Sequence, residues 1–312
     1  MFLSALAYVL GDKRSVTSLA SEVGEEIVGL LKSQGIDSFR HSQASAAELA
    51  EASLCETLTR WGRPPAKIDA VFYCSRQIPT GAEREAMSRL FHNTGLLDMP
   101  TFGLSMQGCS GLASATRLAR AMIRSGEARN IAVVTADVCA SPLQRLGTDN
   151  AAILSDGAAS CVVSVEDGEY ELLGLRQTAN QRLWPTDPPF EHGLWTMMWA
   201  RGIRAAVAGA QEDAAHTETP LTAMVCTNLR FEVVSFLTAQ CKLPPESAFV
   251  GTLAEMSHVF GADPIINILE SQDWRRQRSG RQDAPFLVLT LSPFNWTCFV
   301  LSERTTAANA QG

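Results

Sequence analysis

Apolar residues along this chain recur in two periods. Short β-branched and aromatic runs predict buried strands at 2–10, 67–75 (KIDAVFYCS), 101–106, 130–138 (NIAVVTADV) and 155–165 (SDGAASCVVSV). Between them the spacing shifts to the helical period. Residues 18–33, 45–58, 81–90 and 109–125 each place apolar positions on one side. Ser45 followed three residues later by Glu48 reads as a capping box, and Gly126 suits the position just past a helix end. The chain then continues with a strand beginning YELLGLR, a proline-containing stretch to 191, a helix over 195–210 and a linker over 214–220. A strand follows in LTAMVCTN, then a helix over 229–242, a loop and helix over 257–272, and two closing strands, APFLVLTLS and WTCFVLSE. DWRRQRSGRQD reads as a solvated connection, and residues 304–312 as a disordered tail.

The order of elements repeats. KIDAVFYCS resembles PLTAMVCTN, NIAVVTA resembles FLVLTLS, and AASCVVSV resembles WTCFVLSE. The helix entered at Cys109 matches the helix entered after His258, and Ser75 matches Asn228 at a strand end. The prediction is an α/β chain of two similar βαβαβ-type halves, 1–168 and 169–312, related by a pseudo-twofold axis. Helix starts and strand ends of both halves then meet, bringing Cys109, Asn228 and His258 together.

Composition narrows the function classes. Hydrophobic residues make up 46% and charged residues 19%, an ordinary globular balance. The net charge of −7 gives no basic footprint for nucleic acid. No apolar run approaches the ~20 residues that span a bilayer, and MFLSALAYVLG reads as a first strand rather than a signal peptide. The eight cysteines sit mostly inside apolar runs, without CxxC or Cys/His ligand spacing. Free buried thiols, no metal and a reducing cytoplasm are the expectation.

Cys109 lies in Gly108-Cys109-Ser110-Gly111, where a strand gives way to a helix. Helix-start N–H groups and the positive end of the dipole favour a thiolate, and can hold the oxyanion of a thioester under attack. With Cys109 as nucleophile, His258 as proton carrier and Asn228 as amide donor to the incoming carbonyl, the set fits acyl transfer.

With these residues in view, the chain resembles the ketoacyl-acyl-carrier-protein synthase III group of the thiolase fold. The resemblance runs from Gly35-Ile36 through MPTFGLSMQGCSGLASATRLARAMIRSGEARNIAVVTADV, AILSDGAAS and TLAEMSHVFGADP to SPFNWTCFVLSE. It implies a five-layer αβαβα architecture, Cys109 as the reactive cysteine, and an acyl-enzyme with no tightly bound cofactor. It also implies an acyl thioester of acyl-carrier protein or coenzyme A as substrate, and a homodimer. The pair that partners the cysteine is exchanged: Asn228 stands at the group's His position and His258 at its Asn position. The exchange leaves open decarboxylative Claisen condensation, ester or amide formation, and a non-catalytic subunit of a heterodimer. Where the group has three glycines this chain has Leu291-Ser292-Pro293, so the Ser292 N–H is expected to complete the oxyanion hole with that of Cys109. Gly29 and Ser33 stand near the places of the group's nucleotide-gripping Trp and Arg, which favours a carrier protein as donor. Arg230, and the cluster Arg275, Arg276, Arg278 and Arg281, are candidates for its landing site, while Arg117, Arg120 and Arg124 read as an exposed or dimer-facing stripe. Trp184, Trp195, Met197, Met198 and Trp199 are candidates for an acyl tunnel, a dimer contact or plain core.

Overall fold

The strands assemble by an order that repeats. The computed structural model describes residues 1–76, 81–146, 152–184, 192–214 and 220–304. The proline stretch 185–191, most of the 214–220 linker and the tail beyond Arg304 lie outside the described residues. The strands are β1 (Phe2–Leu10), β2 (Asp12–Ser15), β3 (Ser38–His41), β4 (Ala70–Cys74), β5 (Thr101–Leu104), β6 (Asn130–Asp137), β7 (Gly157–Ser164), β8 (Tyr170–Ala179), β9 (Met224–Cys226), β10 (Ala248–Phe249), β11 (Phe286–Leu291) and β12 (Asn295–Glu303). The helices are α1 (Ala20–Val23), α2 (Glu25–Ser33), α3 (Ala46–Trp61), α4 (Arg84–Thr94), α5 (Gly111–Ser125), α6 (His192–Asp213), α7 (Phe231–Gln240), α8 (Leu253–Met256), α9 (Asp263–Glu270) and α10 (Gln272–Ser279).

One ten-stranded sheet runs β10-β9-β11-β12-β8-β1-β7-β6-β4-β5, with β2 and β3 pairing apart from it. Outward from the β1–β8 seam, both arms place their first, fifth, fourth, second and third strands in the same order. The pairing sense also repeats: β1–β7 and β8–β12 are antiparallel, as are β7–β6 and β12–β11, while β6–β4–β5 and β11–β9–β10 are parallel. At the seam the arms are joined by Phe2 with Glu171 and Leu3 with Tyr170.

Strand side chains alternate between two environments. Ile131 and Val133 face a central cluster that holds Leu112, Ala115 and Ala119 of α5 and Ile265, Ile266 and Ile268 of α9. Ala132 and Val134 face α3 and α4 instead. In the other arm, Phe286 and Val288 join the central cluster, and Leu287 and Leu289 pack on α6 and α7. The layers are therefore helix, sheet, helix, sheet, helix, the five-layer αβαβα arrangement of the thiolase fold. Both central helices are sandwiched, and each Leu, Ile or Phe fully buried there contributes about 1.5–3 kcal/mol.

Local signals account for most element ends. Ser45 and Glu48 form the capping box on α3, and Gly126 closes α5 in a left-handed conformation. Gly24, at φ 90, splits the expected 18–33 helix into α1 and α2. Leu118 on α5 is an apolar residue of that helix that stays 44% exposed. Trp199 is core, stacked between Trp195 and Phe236, whereas Met197 is exposed and Trp184 stacks on Phe294 at the surface.

The basic segment near 275 is a correction. It is helix α10, not a solvated connection. Arg275 is buried, pairs with Glu303 at 3.2 Å and lies 4.0 Å over the Phe286 ring. Arg276 pairs with the same Glu303, Arg278 donates to Thr222 O and Ser247 Oγ, and Arg281 pairs with Asp283. In the central stripe Arg120 is half-buried and bonded to Asp213 and Leu175 O, while Arg117 and Arg124 are exposed. Arg275→Ala leaves Glu303 with Arg276 and Gln282 only, so it should lower stability by about 1–3 kcal/mol in urea unfolding. Arg281→Ala should leave the midpoint unchanged.

Candidate active site

The strand ends and helix starts converge as the repeat requires. Cys109 sits in the single 3-10 turn Gly108–Ser110 that opens α5. Gly108 has φ 55, and a Cβ there would come within 2.8 Å of Ser292 Cβ, so only glycine fits. Gly111 lies where a Cβ would be 3.2 Å from Cys74 Cβ, seating α5 against β4. On the other side, Gly261 packs where a Cβ would be 2.7 Å from Thr135 Oγ1 and 3.7 Å from the Cys109 carbonyl oxygen. Small residues thus let the two arms approach at the thiol.

His258 is held by backbone pairing with the segment before β7. Its N–H donates to Ile153 O at 2.9 Å, and its carbonyl accepts from Ser155 N at 2.8 Å. That segment is fixed in turn by Asp156, which is buried, pairs with Arg145 and accepts from the Ser42 and Cys139 N–H groups. AILSDGAAS is therefore the ledge on which the imidazole rests.

The imidazole Nε2 lies 3.0 Å from Cys109 Sγ, and Nδ1 lies 2.5 Å from Asp263 Oδ2. Asp263, the first residue of α9, is fully buried and also accepts from Asn228 N at 2.8 Å and Val259 N at 2.7 Å. The site is thus a buried line Cys109–His258–Asp263. Burial by itself would lower the His258 pKa, but the negative charges of Cys109 and Asp263 and their hydrogen bonds outweigh it and hold the imidazole well above its usual range. The other thiols behave as buried hydrophobes. Burial pushes Cys139 up to about 11 and Cys226 and Cys241 up to about 12, so they stay protonated.

Three of the five non-glycine residues with positive φ among the described residues lie near Cys109 and His258, the others being Ala5 and Lys242. Positive φ occurs at non-glycine Ser257 (48) and Phe260 (47) around His258, and at Met106 (60) shortly before Cys109. Such conformations cost about 1–3 kcal/mol each and persist where the surroundings fix them.

Two residues expected at the site are also bonded into the scaffold. Asn228 is buried at the end of β9, but its carboxamide is committed to the scaffold. Nδ2 donates to Ser257 O at 2.7 Å, while Oδ1 accepts from Asn267 Nδ2 at 2.8 Å and Thr252 Oγ1 at 3.1 Å. It braces the His258 loop with one of its two amide hydrogens. The Ser292 N–H donates to Asn295 O at 2.9 Å inside the β11–β12 turn. In the same turn Ser292 Oγ accepts from Asn295 N at 3.0 Å.

Arg230 is half-buried at the start of α7, and its Nε is buried with no hydrogen-bond partner among the described residues. Asp263 was missed by residue type, although Asp263-Pro264 is a helix-start signal five residues past the histidine. Asp137 was missed too. It ends β6, accepts from Ser75 Oγ and Arg76 N, and burial pushes it up to about 6. Among the described residues no cluster of three His, Cys, Asp or Glu is placed to hold a metal ion, and no helix is long and apolar enough to cross a membrane.

Comparison with known proteins agrees with this fold. Residues 105–180 match the family model for 3-oxoacyl-[acyl-carrier-protein (ACP)] synthase III. Beta-ketoacyl-[acyl-carrier-protein] synthase III of Campylobacter fetus is 24% identical over 170 residues, covering 54% of this chain and 51% of that protein. The same-named protein of Campylobacter jejuni subsp. doylei is 22% identical over 176 residues, covering 51% and 54%. The chain thus spans about half the length of the curated relatives it matches. Among solved structures, ChlB3, described as an acyltransferase, superposes with TM-score 0.82 at 21% identity over 98% of both chains. FabH of Pseudomonas aeruginosa gives 0.77 at 17% over 98% and 99%. A point variant of OleA of Xanthomonas campestris gives 0.76 at 14% over 97% and 100%.

The Asp263 contact has a measurable consequence. In Asp263→Asn the imidazole loses a neighbouring negative charge, so its NMR titration midpoint should fall toward about 6.5. A native value raised above the unfolded one favours folding most below about pH 6.5 and loses that contribution as pH rises through the native value. Asp263→Asn should therefore remove more stability on the acid side of neutrality than on the alkaline side.

Proposed function

We propose that this chain, which resembles the ketoacyl-acyl-carrier-protein synthase III group in fold and in its cysteine region, is a thioester-dependent acyltransferase working through acyl-Cys109. The observation that carries this reading is the Cys109–His258–Asp263 line, at 3.0 and 2.5 Å. The Cys109 thiolate attacks the donor carbonyl carbon, a C–S bond forms, and the donor C–S bond breaks. The leaving thiolate takes the proton of the His258 imidazolium. Asp263 keeps Nδ1 protonated and orients Nε2 towards the sulfur. The Cys109 N–H, at the start of the turn into α5, stabilises the oxyanion.

In the second half-reaction the neutral imidazole takes a proton from an alcohol or amine acceptor. The acceptor attacks the acyl carbon, and the cysteine leaves as thiolate beside the re-formed imidazolium. A base backed by a carboxylate suits this step. Decarboxylative condensation asks for two neutral donors to an enolate, whereas Asn228 braces the His258 loop and His258 faces a carboxylate. The fold likeness to ChlB3 supports the same choice. The donor is an acyl thioester of a carrier protein or coenzyme A. Arg230 is the residue we assign to the carrier, since Arg275, Arg276, Arg278 and Arg281 are bonded within the chain. We place this chemistry in natural-product or fatty-acid-like biosynthesis, with the chain dividing at about residue 168 into nucleophile and partner halves.

Incubation with an acyl thioester should add one acyl mass to the wild type and none to Cys109→Ala in intact mass spectrometry. Equal labelling of both sinks the proposal. Malonyl thioester should yield no carbon dioxide; release dependent on His258 would instead establish condensation.

We also propose a homodimer through the sheet edge. β5 is the terminal strand, and Phe102 and Met106 beside it are 45% and 66% exposed. Phe102→Asp should shift the species seen by sedimentation from dimer to monomer; an unchanged mass rejects this edge as the interface.

A further inference from the structure

We infer that Phe260 sets the length of the acyl group that Cys109 accepts, restricting it to short chains. The inference rests on the acyl-Cys109 reading and deepens it by naming the substrate class. Phe260, Leu154 and Cys139 form a small buried cluster of their own, and Cys109 packs against it. The thiol therefore touches the imidazole and also an apolar wall.

Each part of that wall is anchored to the scaffold that holds the reacting groups. Leu154 bridges His258 in a strand-like pair, and the Cys139 N–H donates to Asp156. Phe260 is 2% exposed, and its ring centroid lies 6.0 Å from that of His258. The Arg76 guanidinium lies 5.1 Å over the same ring. The backbone is constrained beside it, because Phe260 is held at φ 47 and a Cβ at Gly261 would come within 2.7 Å of Thr135 Oγ1. A longer acyl chain on this side must displace a buried ring packed between His258 and Arg76, and overpacking a core is unfavourable. Size discrimination at an apolar wall typically amounts to ~10–200-fold per methylene difference.

The test follows Cys109 acylation by acetyl, butyryl and octanoyl N-acetylcysteamine thioesters, read by intact mass. The wild type should take acetyl and butyryl, with octanoyl slower by at least about tenfold. Phe260→Ala should remove that gap, and Phe260→Leu, a milder change that guards against misfolding, should narrow it. Equal wild-type rates for acetyl and octanoyl overturn the inference while leaving acyl-Cys109 intact. A gap that persists in both folded variants overturns it too, since another residue then sets the limit. Failure of every thioester to label Cys109 defeats the acyltransferase reading itself.

Discussion

A carboxylate with no exposure to water must be neutralised from every side, and Asp263 is where this molecule does so. Its oxygens take the N–H of Asn228 at the end of β9, the N–H of Val259, and the imidazole of His258. It also stands at the first position of α9, where the helix dipole favours negative charge. One side chain thereby ties a strand end, a strained loop and a central helix into a single geometry. The position of the imidazole against the Cys109 sulfur therefore rests on a group that the sulfur does not touch.

The site departs from a simple exchange of two partner residues. Asn228 stands at the end of the strand, as the repeat required, yet its carboxamide serves Ser257, Thr252 and Asn267. The imidazole is then the sole side chain bonded to the sulfur among the described residues, and its other nitrogen faces a carboxylate. That polarity is suited to moving protons in both directions, which is what two successive transfers demand. The seven other cysteines are tied to no such relay; those in the core are pushed towards protonation by burial.

Much of this was legible in the sequence because the fold writes itself twice. Strand periodicity, the capping box at Ser45, the Gly126 stop and the correspondence of the Cys109 and His258 helices carried the repeat of elements along the chain and the meeting of Cys109 with His258. What escaped depends on direction, which periodicity does not encode. An asparagine at a strand end can aim its amide at a substrate or at its own loop, and Ser292 can offer its N–H or close a turn with it. The arginines after Trp274 looked solvated because their acceptors, Glu303 and Ser247, are remote in sequence. Asp263 had a local sign in the Pro that follows it, but its meaning lay in a histidine folded back onto it.

The shared central layer has a bearing on how the molecule comes to exist. Side chains from strands of both arms, together with α5 and α9, form one hydrophobic cluster. Neither arm on its own could cover its inner face, and the seam itself rests on two residue pairs. Folding is accordingly expected to be a single cooperative event in which the second arm completes the first. A nascent chain paused at the midpoint would expose a broad oily surface, and would hold a cysteine with no imidazole beside it. The imidazole arrives only with the second arm.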